Sequence, residues 1–114
     1  MTPYEKGAVI LVPFPFSDQT TIKKRPAVII SSNAYNNISS DIVIMAITSQ
    51  TGKTYSAGEC LIENWKEAGL LKPSAIKPAI STIEQALVLK RLGRLTSKDL
   101  LSMEKALKEL LDFK

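Results

Sequence analysis

Histidine is absent from all 114 residues. That removes Ser-His and Cys-His catalysis, and with them the side chain best matched to proton transfer near neutral pH. Cysteine occurs once, at Cys60, so an internal disulfide and a Cys-cluster zinc site are both excluded. Within the strand-like run GECLIEN the lone thiol reads as a buried group, not a nucleophile. Three Phe, three Tyr and one Trp limit base stacking to a few positions. No apolar run approaches the roughly 20 residues of a membrane span. The opening MTPYEKGAVILVPFPF lacks a small-residue cleavage site, and Pro13 and Pro15 break its apolar stretch, so the expected location is cytoplasmic. Walker, GxGxxG and HExxH patterns are missing. The acids Asp18, Asp41, Glu59, Glu63 and Glu84 are scattered, so neither a metal site nor a cofactor is expected.

What is present is an ordinary globular composition, 45% hydrophobic and 23% charged, in a length that suits one domain over 1–114. The net charge of +4 is unevenly spread. Between Lys72 and Lys98 six cations (Lys72, Lys77, Lys90, Arg91, Arg94, Lys98) meet one acid, Glu84. Between Thr20 and Tyr55, Lys23, Lys24, Arg25 and Lys53 meet only Asp41. Local positive fields of this kind suit an anionic partner, though many proteins that bind no polyanion have them too.

The hydrophobic pattern predicts short strands at Gly7–Pro13, Pro26–Ser32 and Asp41–Ser49, the last two apolar enough to be covered on both faces. Pro13 and Pro15 argue against a continuing central strand, so residues 13–24 read as a long loop. Residues 33–41 are Asn-rich, a loop or short helical turn, and residues 50–59 form a second loop. CLIE is a short strand, and NWKEAG one helical turn stopped by Gly69. Pro73 and Pro78 assign the next segment to an edge or interrupted strand. ALVLKRLGRL is a further strand, bent at Gly93. The period then changes. Thr96 or Ser97 caps a helix over about 97–112, with Asp99 in its first turn. Leu100, Met103, Leu107, Leu110 and Leu111 form its apolar stripe, expected to face the sheet. Strands over about 7–94 followed by one helix give a small, strongly bent sheet or barrel.

Two features carry possible chemistry. Arg25 precedes Pro26, which drives it into extended geometry and fixes a guanidinium at a strand entrance, suited to bidentate phosphate contact. The third strand ends in AITSQ, where Thr48 and Ser49 point to opposite sides. Taken alone, each is as well read as a surface arginine and a polar strand end. Together they suit a reaction needing neither histidine nor metal: RNA brings its own nucleophile, the 2′-hydroxyl beside the scissile phosphate. Aligning it and stabilising the charge that develops on phosphorus can contribute several kcal/mol each.

The segments GAVILVPFPF, KKRPAVIIS, DIVIMAITSQ, WKEAGLLKPSAIK and LGRLTSKDL, in that order from Gly7 to about Leu111, closely resemble the MazF/PemK toxins of toxin–antitoxin pairs. The resemblance implies a mainly β fold, a small SH3-like, partly open barrel with a C-terminal α-helix. It implies a homodimeric, metal-free endoribonuclease that cuts single-stranded mRNA at short sequences. Carried over by position, Arg25 acts on the phosphate and on proton transfer while Thr48 stabilises the transition state. Ser49 and Gln50 support them, and Lys23 and Lys24 draw in the RNA backbone. Bases would lie against the loops 14–24 and 50–58, with Phe16 on the first and Lys53 on the second. An acidic, mostly disordered antitoxin tail would cover the same groove. The family's usual Gly-Asp is Gly7-Ala8 here, and Pro26-Ala27 follow Arg25 where some members have His or Asp. The alternative is an inactive barrel of the same fold that only binds RNA or a protein. A DNA-binding regulator ranks last, since the one long helix is nearly charge-balanced.

Overall fold

The β-branched runs form strands as their pattern predicts, and the prolines decide where each strand stops being covered. The computed structural model describes residues 4–15, 22–51 and 59–113. In chain order the elements are β1 (Ala8–Pro15), β2 (Ile22–Ile29), α1 (Asn33–Ile38), β3 (Asp41–Thr48), β4 (Cys60–Ile62), β5 (Ser74–Glu84), a 3-10 turn at Gln85–Leu87, β6 (Lys90–Arg94) and α2 (Ser97–Leu111). The six strands make one curled sheet in the order β4-β5-β3-β2-β1-β6, and every recorded pairing is antiparallel. This is the mainly β, half-barrel architecture with a C-terminal helix that the sequence implied.

Both faces of the sheet bury apolar side chains because neighbouring residues on each strand serve opposite clusters. Val9, Val28, Met45, Ile47 and Ile76 meet Met103 and Leu95 on the face beneath α2. Ile10, Val12, Ala27, Ile29, Ile42 and Ile44 form the cluster on the other face. Each fully buried Ile or Val contributes about 1.5–3 kcal/mol relative to exposure, so these strands supply most of the folding drive. Leu100, Leu107 and Leu110 pack on the first cluster as expected, whereas Leu111, at the last turn, is 52% exposed.

Two sequence expectations need correction, and a third holds but is incomplete. Residues 13–24 are not a long loop throughout. β1 runs on to Pro15, and β2 begins at Ile22, with Pro13 paired to Lys24 and Pro15 to Ile22. The prolines are tolerated because β6 pairs with β1 only from Ala8 to Leu11, which leaves that half of β1 at an edge. β5, by contrast, lies between β4 and β3 rather than at an edge. Pro78 fits there because β4 reaches only to Ile76 and the register against β3 breaks between Met45 and Ile47. The segment called interrupted is therefore one strand with an irregularity. Finally, Asp99 does more than favour the helix dipole. It is 1% exposed, and its carboxylate accepts from the backbone N–H groups of Glu63 (3.1 Å) and Asn64 (2.9 Å). Thr96 caps α2 by accepting from the N–H of Asp99, so the start of the helix is tied to the turn after β4.

That turn, residues 64–70, ends in a Schellman arrangement. Leu70 N–H donates to the carbonyl of Trp65 and Gly69 N–H to that of Lys66, with Gly69 at φ +85°. Gly69 and Gly93 then bring two backbones into contact. A Cβ at Gly69 would stand 1.9 Å from the Leu92 carbonyl oxygen, and one at Gly93 2.5 Å from that of Ala68. The bend expected at Gly93 is real: the β1–β6 register shifts between Val9 and Ile10, opposite Leu92.

Candidate active site

The site is built at the shared end of β2 and β3. Those strands are paired at Ala27–Ala46, Val28–Met45 and Ile29–Ile44, and no pairing is recorded beyond Ala27. Pro26 has no N–H to extend the ladder, so the two strand ends part there. Continuing the register by two residues sets Arg25 of β2 across from Thr48 of β3, on the same face as Ala27 and Ala46. Arg25 is not at the strand entrance, as the sequence suggested. It is the fourth residue of β2 and pairs with Val12 of β1, so its backbone is held on a rigid element.

Between the parted ends lies a cleft of about 180 Å³ lined by Arg25, Ala46, Ile47, Thr48, Gln50, Lys77 and Ala79. Arg25 and Thr48 are both half-buried. The Thr48 hydroxyl accepts a hydrogen bond from the Gln50 N–H at 3.1 Å, which leaves its own proton available for donation. The cleft thus presents two cationic groups and a hydroxyl donor and, among the described residues, no carboxylate. An anionic tetrahedral group fits that chemistry.

A second, larger cleft of about 500 Å³ opens beside it. Pro26, Leu70 and Leu92 supply an apolar lining, and Lys72, Lys90 and Arg91 add three cations. Gly69 lines it as well, so the close glycine contact is what brings the 70–72 segment and β6 together. Arg25 and Ile47 line both clefts. Thr48 lines the smaller and Ser49 the larger, matching the opposite directions expected of neighbouring strand residues.

The sequence profile of the PemK-like, MazF-like toxins of type II toxin–antitoxin systems matches residues 5–111. The chain belongs to this toxin family. Solved structures agree on the fold. A mycobacterial endoribonuclease in complex with its cognate antitoxin superposes with TM-score 0.78 at 19% identity, over 96% of each chain. The MazF toxin MazF-mt6 of Mycobacterium tuberculosis gives 0.74 at 17% identity, over 94% of this chain and 98% of that one. A MazE–MazF complex from Deinococcus radiodurans gives 0.75 at 15%, over 96% of each chain. No curated protein matches the sequence.

Of the residues singled out in the sequence of this family member, Arg25, Thr48 and Gln50 come together in one cleft, and Ser49 stands in the neighbouring one. Lys23 and Lys24 are exposed on β2 and line neither. Phe16 and Lys53 lie outside the described residues. Lys77 was missed: it read only as one charge among six, and the clue was its place beside Pro78 in a strand expected to be interrupted. Cys60 is half-buried, and burial, aided by the nearby Asp99 charge, pushes its thiol up to about 11. It stays protonated at neutral pH and is no nucleophile. Among the described residues no three His, Cys, Asp or Glu side chains gather where they could hold a metal ion.

Proposed function

We propose that this toxin is a sequence-specific endoribonuclease that cuts single-stranded mRNA without a metal ion. The observation that carries the reading is the joint presence of Arg25 and Thr48, with Lys77, around one cleft at the parted ends of β2 and β3. In this reading the 2′-oxygen attacks the adjacent phosphorus and the bond to the 5′-oxygen breaks, leaving a cyclic phosphate and a free 5′-hydroxyl. Arg25 binds the non-bridging phosphate oxygens in a fork and stabilises the extra negative charge. Thr48, whose oxygen accepts from the Gln50 N–H, donates its hydroxyl proton to the same charge. Lys77 adds a second cation on the cleft wall. The 2′-hydroxyl releases its proton to water and the departing 5′-oxygen takes one up from water, while Arg25, a poor base, stays charged throughout. The active form is a homodimer, and an acidic antitoxin segment that folds on binding covers the cationic clefts and blocks them. Neighbouring structures described as an endoribonuclease with its cognate antitoxin and as MazE–MazF complexes support an antitoxin as the partner.

Purified protein incubated in chelator with long single-stranded RNAs of varied sequence is expected to give discrete fragments with 5′-hydroxyl ends, and to leave DNA counterparts whole. Activity that disappears with chelator would overturn metal independence. Intact RNA across all sequences would favour the binding-only barrel. Thr48→Ala is expected to lower kcat by about 10²-fold with little change in melting temperature, the usual cost of losing one preorganised donor. Single-turnover cleavage by the variant, set beside its thermal melt, checks this; an unchanged rate would remove Thr48 from the mechanism.

A further inference from the structure

A substrate strand whose scissile phosphate lies between Arg25 and Thr48 has to continue in two directions, and the described surface offers one obvious path. The larger cleft shares Arg25 and Ile47 with the smaller one, and the step from Thr48 to Ser49 crosses from one to the other. Its volume, about 500 Å³, falls within the range of sites that enclose small organic ligands, about 300–1,000 Å³. Its lining joins apolar Pro26, Leu70 and Leu92 to the cations Lys72, Lys90 and Arg91, and among the described residues includes no carboxylate. Arg91 is partly engaged, 3.5 Å from Glu5, but Glu5 also faces Arg94 at 3.5 Å, so the rim keeps a net positive charge. Lys72 and Lys90 are exposed.

Resting on the ribonuclease reading, we infer that this cleft is a nucleotide subsite. It holds the nucleotide adjoining the scissile phosphate, base against Leu70, Leu92 and Pro26, and its next phosphate between Lys72 and Lys90. RNA therefore bends over the ends of β2 and β3 and lies on different faces of the sheet on the two sides of the cut. Among the described residues no aromatic ring lines the cleft, and the contact these residues offer a base is aliphatic. An acidic peptide matches the cations equally well. The RNA is favoured because the shared wall at Arg25 places the subsite where the substrate chain has to pass.

The test is a cycle between protein and RNA length. A short RNA with a 2′-deoxy residue at the cut site, which binds but cannot be cleaved, is compared with versions trimmed on the 5′ side or on the 3′ side. Binding is measured for wild type and for the double variant Lys72→Ala, Lys90→Ala. The variant is expected to bind full-length RNA at least about 10-fold more weakly, and the loss of one neutralised phosphate lowers the salt slope by about 0.7. One of the two truncations should weaken wild type but cost the variant nothing further, while the other costs both proteins equally. Equal losses for both proteins on both truncations would overturn the subsite. Unchanged RNA affinity with weakened binding of a synthetic acidic peptide would assign the cleft to a protein partner instead. Wild-type cleavage of unmodified RNA is the control: if it fails, the ribonuclease reading falls and the subsite with it, whereas cleavage with additive losses sinks the subsite alone.

Discussion

Arg25→Ala is expected to reduce RNA cleavage by about 10³-fold while the melting temperature stays close to that of wild type. The size follows from the charge it would meet. A phosphate under attack gains negative charge on oxygens that, in this cleft, meet Arg25, Lys77, the Thr48 hydroxyl and Gln50 as the polar lining among the described residues. With histidine absent from the sequence, no imidazole can take over either charge stabilisation or proton transfer. The fold should survive because the position is held by its backbone: Arg25 pairs with Val12 inside β2, and alanine keeps that ladder. Arg25→Lys separates charge from geometry. Lysine keeps the positive charge but cannot grip two oxygens in a fork, so it should restore only part of the lost rate. Single-turnover rates for the three proteins, with a calorimetric melt of each, decide the matter. A variant that melts far below wild type would make Arg25 structural, and one that cleaves normally would move the chemistry elsewhere.

The largest effect on stability is expected at Gly69. Replacing it by alanine sets a Cβ 1.9 Å from the Leu92 carbonyl oxygen, on a residue already at φ +85°. The backbone strain alone costs about 1–3 kcal/mol. The clash is with main chain, which cannot swing aside as a side chain would, so β6 has to shift. A loss on the order of 3 kcal/mol follows, a sizeable share of the 5–15 kcal/mol that holds a typical domain, and the melting temperature should fall by roughly 12 °C. Gly93→Ala closes the same contact from the other side at 2.5 Å, without a positive φ, and should destabilise less. Urea unfolding of both variants tests the order. A Gly69→Ala protein as stable as wild type would show that the two segments can separate freely. Because Gly69 and Leu92 both line the larger cleft, any variant that does fold should also have an altered subsite.

Much of this was legible from local pattern alone. DIVIMAITS reads as a doubly covered strand because β-branched residues crowd together without polar interruption, and β3 is buried on both faces. The helix announced itself through Thr96 and the Leu100, Met103 and Leu107 spacing. What was not legible depended on the length of a partner. Whether Pro13 ends a strand or sits at its edge is settled by where β6 stops pairing, and nothing near Pro13 encodes that. Asp99 looked like a dipole partner because its other two contacts, Glu63 and Asn64, are 35 or more residues away. In the candidate site, Arg25 and Thr48 could be named by combining Pro26 and the AITSQ strand end with the family resemblance, while the place of Arg25 within its strand was misjudged. Lys77 enters the cleft only through the irregular register of β5 against β3, which no residue count predicts.

The short reach of β6 also bears on how molecules of this chain behave toward one another. It ends opposite Leu11 and, among the described residues, leaves the Pro13–Pro15 half of β1 without a strand on that side. A bare sheet edge is an invitation to fibrous growth, since any extended segment can dock on its free amide groups. Pro13 and Pro15 are two residues apart, so both withhold their donors from the same side. An incoming strand finds every second anchoring point missing. The residues that look like breakers in the sequence thus oppose propagation of the sheet from one molecule into the next along this edge.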